Sequence, residues 1–128
     1  MVDSKRYKDW LEKAQKDLKS AKILIENGEV NDIVAFHCQQ AIEKAFKGFL
    51  VARRGMVVEG HSLLKLYREV KREESKVSEY AKECAYVNQY YIETRYPSDD
   101  PLEVTVNDAE ECIRIAESLI HEIENLME

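Results

Sequence analysis

The sequence predicts an all-α fold, an up-and-down antiparallel bundle of four to five helices, in a single domain over residues 1–128. Three observations lead there. Apolar residues recur every three or four positions in five successive segments, the period of one helix face. Four Gly and two Pro are too few for a turn-rich sandwich or barrel. Long periodic segments joined by short connections favour antiparallel neighbours. With 128 residues, 45% of them hydrophobic, the chain can bury one core and is too short to divide into two.

The first element runs from about Ser4 to Asn27, with Trp10, Ala14, Leu18, Ala21 and Ile25 on one stripe. Asp3 or Ser4 can cap its start, and Asn27-Gly28 is a stop signal. The second opens near Asn31-Asp32 and runs to Arg54-Gly55. It is apolar on more than one side (Ile33, Val34, Phe36, Ala41, Ile42, Ala45, Phe46, Phe49, Leu50), as a central helix touched by several neighbours would be. A shorter third element opens at His61-Ser62 and carries Leu63, Leu64, Leu66, Tyr67 and Val70. The fourth is expected from Ser75 to about Thr94, with Val77, Tyr80, Cys84, Val87 and Tyr91 in register. Pro97 and Pro101 break the helical pattern beyond it. Thr105 and Asp108 then resemble a capping box that opens the fifth element, whose stripe is Ile113, Ala116, Leu119, Ile120 and Ile123.

Charge and cysteine content limit the function classes. Nineteen Lys and Arg against 25 Asp and Glu give a net charge of −6, so duplex DNA should be repelled. A site for a nucleotide or a small RNA stays compatible with that charge. Cys38, Cys84 and Cys112 are an odd number with no Cys-x-x-Cys pair and lie at apolar helical positions, which argues against a disulfide framework or a zinc site. His37, His61 and His121 form no pair at ligand spacing, so no metal and no cofactor is expected. The opening residues are charged, and no apolar run approaches the ~20 residues of a membrane span. A reduced, soluble, cytoplasmic protein without membrane contact is the expectation.

Three clusters are candidates for chemistry. On the second helix, Gln40, Glu43 or Lys44, Lys47, Val51 and Arg54 share one face, a spacing that could bring Lys44, Lys47 and Arg54 to one anionic group. The plainer alternative is the solvated side of an amphipathic helix. Gln39 and Gln40, amides inside an apolar stretch, suggest a buried hydrogen bond or a ligand contact. In the following turn, Arg54 could stabilise developing negative charge while His61 moves a proton, as a metal-free ribonuclease requires. The alternative is that His61 and Ser62 cap the third helix and the Arg pair ends the second. Thirdly, Tyr80, Tyr86, Tyr90, Tyr91 and Tyr96 crowd one stretch with Asn88 and Arg95, a possible base cradle, dimer seam or half-buried edge.

Gln39 to Leu50 (QQAIEKAFKGFL), Gly60-His61-Ser62-Leu63 and Tyr91 to Pro97 (YIETRYP) together resemble the HEPN domain, named for higher eukaryotes and prokaryotes nucleotide-binding. The resemblance covers nearly the whole chain, with the motifs in the expected order. It implies a helical bundle, often a homodimer, with a nucleotide such as ATP or GTP, or RNA, as ligand. A minimal nucleotidyltransferase would be its partner in a toxin–antitoxin-like pair. Carried onto this chain, it implicates Gln40, Lys44, Lys47, His61, Tyr91, Arg95 and Tyr96. The ribonuclease branch is similar in carrying an Arg followed a few residues on by a His. Arg54 and His61 satisfy the bare spacing, but Gly55 stands where that branch usually has a polar residue, and the branch carries its pair on a later helix, nearer Arg95. The leading expectation is therefore a binding module, with a ribonuclease using Arg54 or Arg95 and His61 as the alternative and a ligand-free adaptor as the third reading.

Overall fold

A computed structural model describes residues 4–91 and 96–127. Among these residues, five α-helices follow one another: α1 (Tyr7–Ile25), α2 (Asn31–Arg54), α3 (Leu63–Glu73), α4 (Ala81–Asn88) and α5 (Val106–Leu126), with a 3-10 turn (Ser75–Tyr80) before α4. They pack as an up-and-down bundle, and no strand occurs among the described residues.

The multi-sided apolar pattern of α2 has the predicted consequence. Val34, Ala35, Cys38, Ala41, Ile42, Ala45, Phe46, Phe49 and Leu50 are all fully buried, because α1, α3, α4 and α5 each pack against it. At Gly48, α2 comes close to α1. A Cβ built there would stand 3.0 Å from the Trp10 Cβ and 3.2 Å from the Tyr7 carbonyl oxygen, so only glycine lets α1 lie this near. Ala14, Leu18 and Ala21 fill the α1 side of that seam, and Ala116, Leu119, Ile120 and Ile123 close it from α5.

Helix ends follow the sequence signals unevenly. Gly55 takes the left-handed conformation (φ 71°) and its N–H returns to the Val51 carbonyl at 2.8 Å, ending α2 where expected. Ser62 accepts from the Lys65 N–H at 3.3 Å and caps α3. At α5 both arms of the Thr105–Asp108 box form, each at 3.1 Å. By contrast α1 begins at Tyr7 after Arg6, with no side-chain cap; Ser4 instead donates to Asp9 at 2.6 Å. The start of α2 has no side-chain cap either, since Asp32 accepts only from the neighbouring Ile33 N–H.

The fourth element is a correction. A continuous helix from Ser75 is replaced by a 3-10 turn over Ser75–Tyr80 and then the eight residues of α4. Glu74 is extended (φ −149°), and the Tyr67 hydroxyl donates to the Ser78 carbonyl at 2.9 Å, engaging an oxygen that a regular helix would use internally. Its expected end near Thr94 lies outside the described residues.

Burial raises the Cys84 and Cys112 thiols to about 12 and raises Cys38 as well. All three are buried and free, so they act as core packing and not as thiolates at neutral pH.

Candidate functional site

The site is built around one buried carboxylate, Glu43, which is 3% exposed at the middle of α2. A charge taken so far out of water persists only when it is paired and hydrogen-bonded. Glu43 is both. Its Oε2 lies 3.2 Å from the Lys47 Nζ, one helical turn on, and 3.0 Å from the His61 Nδ1. Its Oε1 lies 3.3 Å from the Gln40 Nε2, with the Gln39 Nε2 further off at 3.5 Å. Gln39, wholly buried, also donates to the backbone carbonyl of His61 at 3.0 Å and accepts from Gln40 at 2.7 Å. Gln39 and Glu43 thus hold His61, two residues before α3, and are themselves braced by Gln40 and Lys47.

His61 itself reaches the surface, with 58% of its side chain exposed. Its ring lies nearly parallel to that of Tyr91, centroids 5.2 Å apart at 13°. Tyr91 in turn stacks on Phe36 of α2 at 6.1 Å and 27°. The three elements that meet here are α2, the α3 entry and the turn after α4. With Nδ1 turned to Glu43, Nε2 is the ring nitrogen left for a ligand. The arrangement offers an oriented imidazole, a flat π surface and a charge-balanced base.

Sequence spacing put Lys44, Lys47 and Arg54 on one face, directed at a common anion. The structure turns each to a different carboxylate. Lys44 meets Asp17 of α1 at 2.5 Å, Lys47 meets Glu43 while lying 5.8 Å from the Trp10 ring, and Arg54 spans Glu69 and Glu73 of α3, both at 2.9 Å. Hydrogen bonding to Glu69 and then Glu73 raises the Arg54 guanidinium, and the same contact lowers Glu69. Asp17 also receives His37 at 3.1 Å; burial opposes its charge most strongly, but the His37 and Lys44 hydrogen bonds together lower its carboxyl. These pairs fasten α1 and α3 to α2, and Arg54 is thereby occupied away from His61.

Of the expected ligand residues, the structure brings Gln40, Lys47, His61 and Tyr91 together. Lys44 belongs to the α1 seam, Arg95 lies outside the described residues, and Tyr96 is exposed beyond them. The Tyr86–Tyr90 pair is structural: Tyr90 is buried, the rings meet edge-on at 5.7 Å, and the Tyr86 hydroxyl donates to Asp108 of α5 at 3.1 Å. Glu43 and Phe36 were not singled out as site residues. The neighbouring buried amides were the available signal for Glu43, while Phe36 looked like ordinary core.

Comparison with known proteins decides the family. The HEPN domain profile matches residues 7–126. This chain belongs to the HEPN family. A Methanocaldococcus jannaschii protein described as "Putative toxin MJ1304" is 30% identical over 132 aligned residues, covering 92% of this HEPN chain and 86% of that one. The crystal structure of TT1696 from Thermus thermophilus superposes with a TM-score of 0.85 at 31% identity, covering 95% of this chain and 98% of the other. That of ST0689, an archaeal HEPN homologue, does so at 0.73 and 24% identity, over 96% and 98%, and shows the shared fold. Among the described residues, no helix is long and apolar enough to cross a membrane, and no three His, Cys, Asp or Glu side chains gather as a metal would require.

Proposed function

We propose that this HEPN chain is the ligand-binding member of a toxin–antitoxin-like pair, taking a nucleotide at the His61–Tyr91 face and working with a partner minimal nucleotidyltransferase. The observation that carries the reading is the exposed His61 ring, held parallel to Tyr91 and anchored on buried Glu43. A nucleobase gains about 1–3 kcal/mol from an aromatic partner of this kind, and a preset ring lowers the ordering cost of binding. Lys47 balances Glu43, so the site does not repel a base as an isolated carboxylate would. The toxin description of the archaeal relative supports placing the chain in such a pair.

The test is a thermal-shift titration with ATP and GTP, since a ligand that binds only the folded state raises Tm. A concentration-dependent rise that disappears in Tyr91→Ala and His61→Ala is expected. No rise for any nucleotide at millimolar concentration would leave the ligand-free adaptor.

A ribonuclease reading has one specific observation in its favour. Glu43 accepts from Nδ1, which leaves Nε2 outward in the arrangement of a general base backed by a carboxylate. Arg54 is committed to Glu69 and Glu73, so the anion stabiliser would have to come from elsewhere, Arg95 being the remaining candidate. RNA cleavage in EDTA that is abolished by His61→Ala would establish this activity; intact RNA would dismiss it.

A further inference from the structure

We infer that Gln40 sets the choice of base. Its side-chain oxygen meets the ligand as a fixed hydrogen-bond acceptor, so the site takes a base whose edge carries an amino group, adenine ahead of its 6-oxo counterpart hypoxanthine. The inference rests on the nucleotide reading above and adds which base that site prefers.

The orientation of the amide follows from a chain of hydrogen bonds. A backbone carbonyl can only accept. The His61 carbonyl therefore takes a hydrogen from the Gln39 Nε2, 3.0 Å away. The Gln39 Oε1 then faces Gln40 and needs a donor, which the Gln40 Nε2 supplies at 2.7 Å. The other hydrogen of that Nε2 goes to the Glu43 Oε1 at 3.3 Å. Turning the Gln40 amide over would set oxygen against oxygen at both Gln39 and Glu43. Gln40 Oε1 is left without a partner among the described residues, yet it is not sealed in. Asn31 Oδ1 is the one buried side-chain polar atom there that lacks a partner. Gln40 Oε1 is thus open to solvent.

The same contacts put this oxygen beside the aromatic surface. Gln40 follows Phe36 by one turn of α2, and Phe36 stacks on Tyr91. Gln40 Nε2 and His61 Nδ1 are held on the two oxygens of a single carboxylate, Glu43. Between Val34 and Val51 only Phe36, His37, Gln40 and Lys44 escape burial, so α2 opens to solvent along one strip. The second outward atom has the same sense. Glu43 accepts from Nδ1, and Nε2 of the neutral imidazole is then an acceptor too. Adenine answers with its 6-amino group. Hypoxanthine has O6 at that place, and its N1–H lies one atom further round the ring. Gln40 does not titrate, so its preference holds whatever the charge on His61.

The experiment measures, by titration calorimetry, the dissociation constants of AMP, purine riboside 5′-monophosphate and IMP. These share one sugar, one phosphate and a similar stacking surface and differ at C6 of the base. AMP should bind about three- to tenfold tighter than the purine riboside, which merely lacks the amino group. IMP should be weaker again, since it sets an acceptor against Gln40. Gln40→Met, close to glutamine in size, should bring the three constants to within about twofold, chiefly by weakening AMP. Gln15→Met, at a glutamine that bonds Glu124 of α5, should keep the native order. The three-ligand comparison is made on the native chain, so it decides the preference even where the Tm of Gln40→Met without ligand shows a damaged fold.

Equal constants for AMP and IMP, or IMP the tighter, overturn the inference and leave the nucleotide site standing. A preference for AMP that survives undiminished in folded Gln40→Met overturns the role given to Gln40. Where none of the three ligands binds, the nucleotide reading falls and the base preference falls with it.

Discussion

At the scale of single residues, the charged side chains of α2 matter through their partners. Glu43 is the clearest case. Removing its carboxylate as Glu43→Ala leaves the Lys47 ammonium, itself 6% exposed, with no counter-charge. Breaking such a buried pair costs about 3–5 kcal/mol. Adding Lys47→Met should recover part of that loss, so urea denaturation of the single and double variants should show strong non-additivity. Additive losses would mean that the two side chains do not depend on each other. Asp17 gives a pH test. Its carboxyl is lowered in the fold, so its contribution is complete above the unfolded value of about 3.9 and fades as pH falls through the folded one. Asp17→Asn should cost about 1–3 kcal/mol near neutrality, and the gap to the native chain should close in acid. A gap that persisted unchanged at low pH would contradict the assignment. These partners were hard to read in the sequence. Helical spacing suggested one shared face for Lys44, Lys47 and Arg54, but the acids that claim them sit on α1, α2 and α3, and only the packing brings Asp17, Glu69 and Glu73 within reach.

Elements show how local signals and packing divide the work. The Thr105–Asp108 box and the Gly55 stop were legible because they satisfy helix ends with residues a few positions apart. Thr105→Ala should cost about 1 kcal/mol, read as a fall in the urea midpoint at constant m-value; no fall would mean that Asp108 alone holds the start of α5. The 3-10 turn before α4 was not legible, because the Tyr67 hydroxyl that engages Ser78 comes from another helix. Gly48 lies between these cases. In isolation, Gly48→Ala should favour a helix by up to about 1 kcal/mol. Here the added methyl meets the Tyr7 carbonyl, which is backbone and cannot rotate aside, and overpacking of this kind costs about 1–3 kcal/mol. A lower Tm is the expected outcome, and a higher one would mean that α1 can move away freely.

Across the whole molecule, the bundle could be read from the sequence in large part because α2 is apolar on several sides and must be surrounded. The site was half legible. Gln39 and Gln40 pointed to buried polarity and His61 to a helix start, but the convergence of α2, the α3 entry and Tyr91 is a property of the packed fold. Charge is likewise organised at this scale: on an acidic chain, Lys44 and Arg54 are taken up in pairs that tie α1 and α3 to α2. In the proposed function, His61, Tyr91 and the Glu43 network form the ligand site. Two-dimensional NMR of the protein titrated with AMP tests it most directly. The His61 imidazole and the Gln39 and Gln40 side-chain amides should shift together, while the Tyr86–Asp108 contact does not respond. Shifts centred instead on the groove between α1 and α5 lined by Lys22, Ile25, Val106 and Glu117 would contradict it.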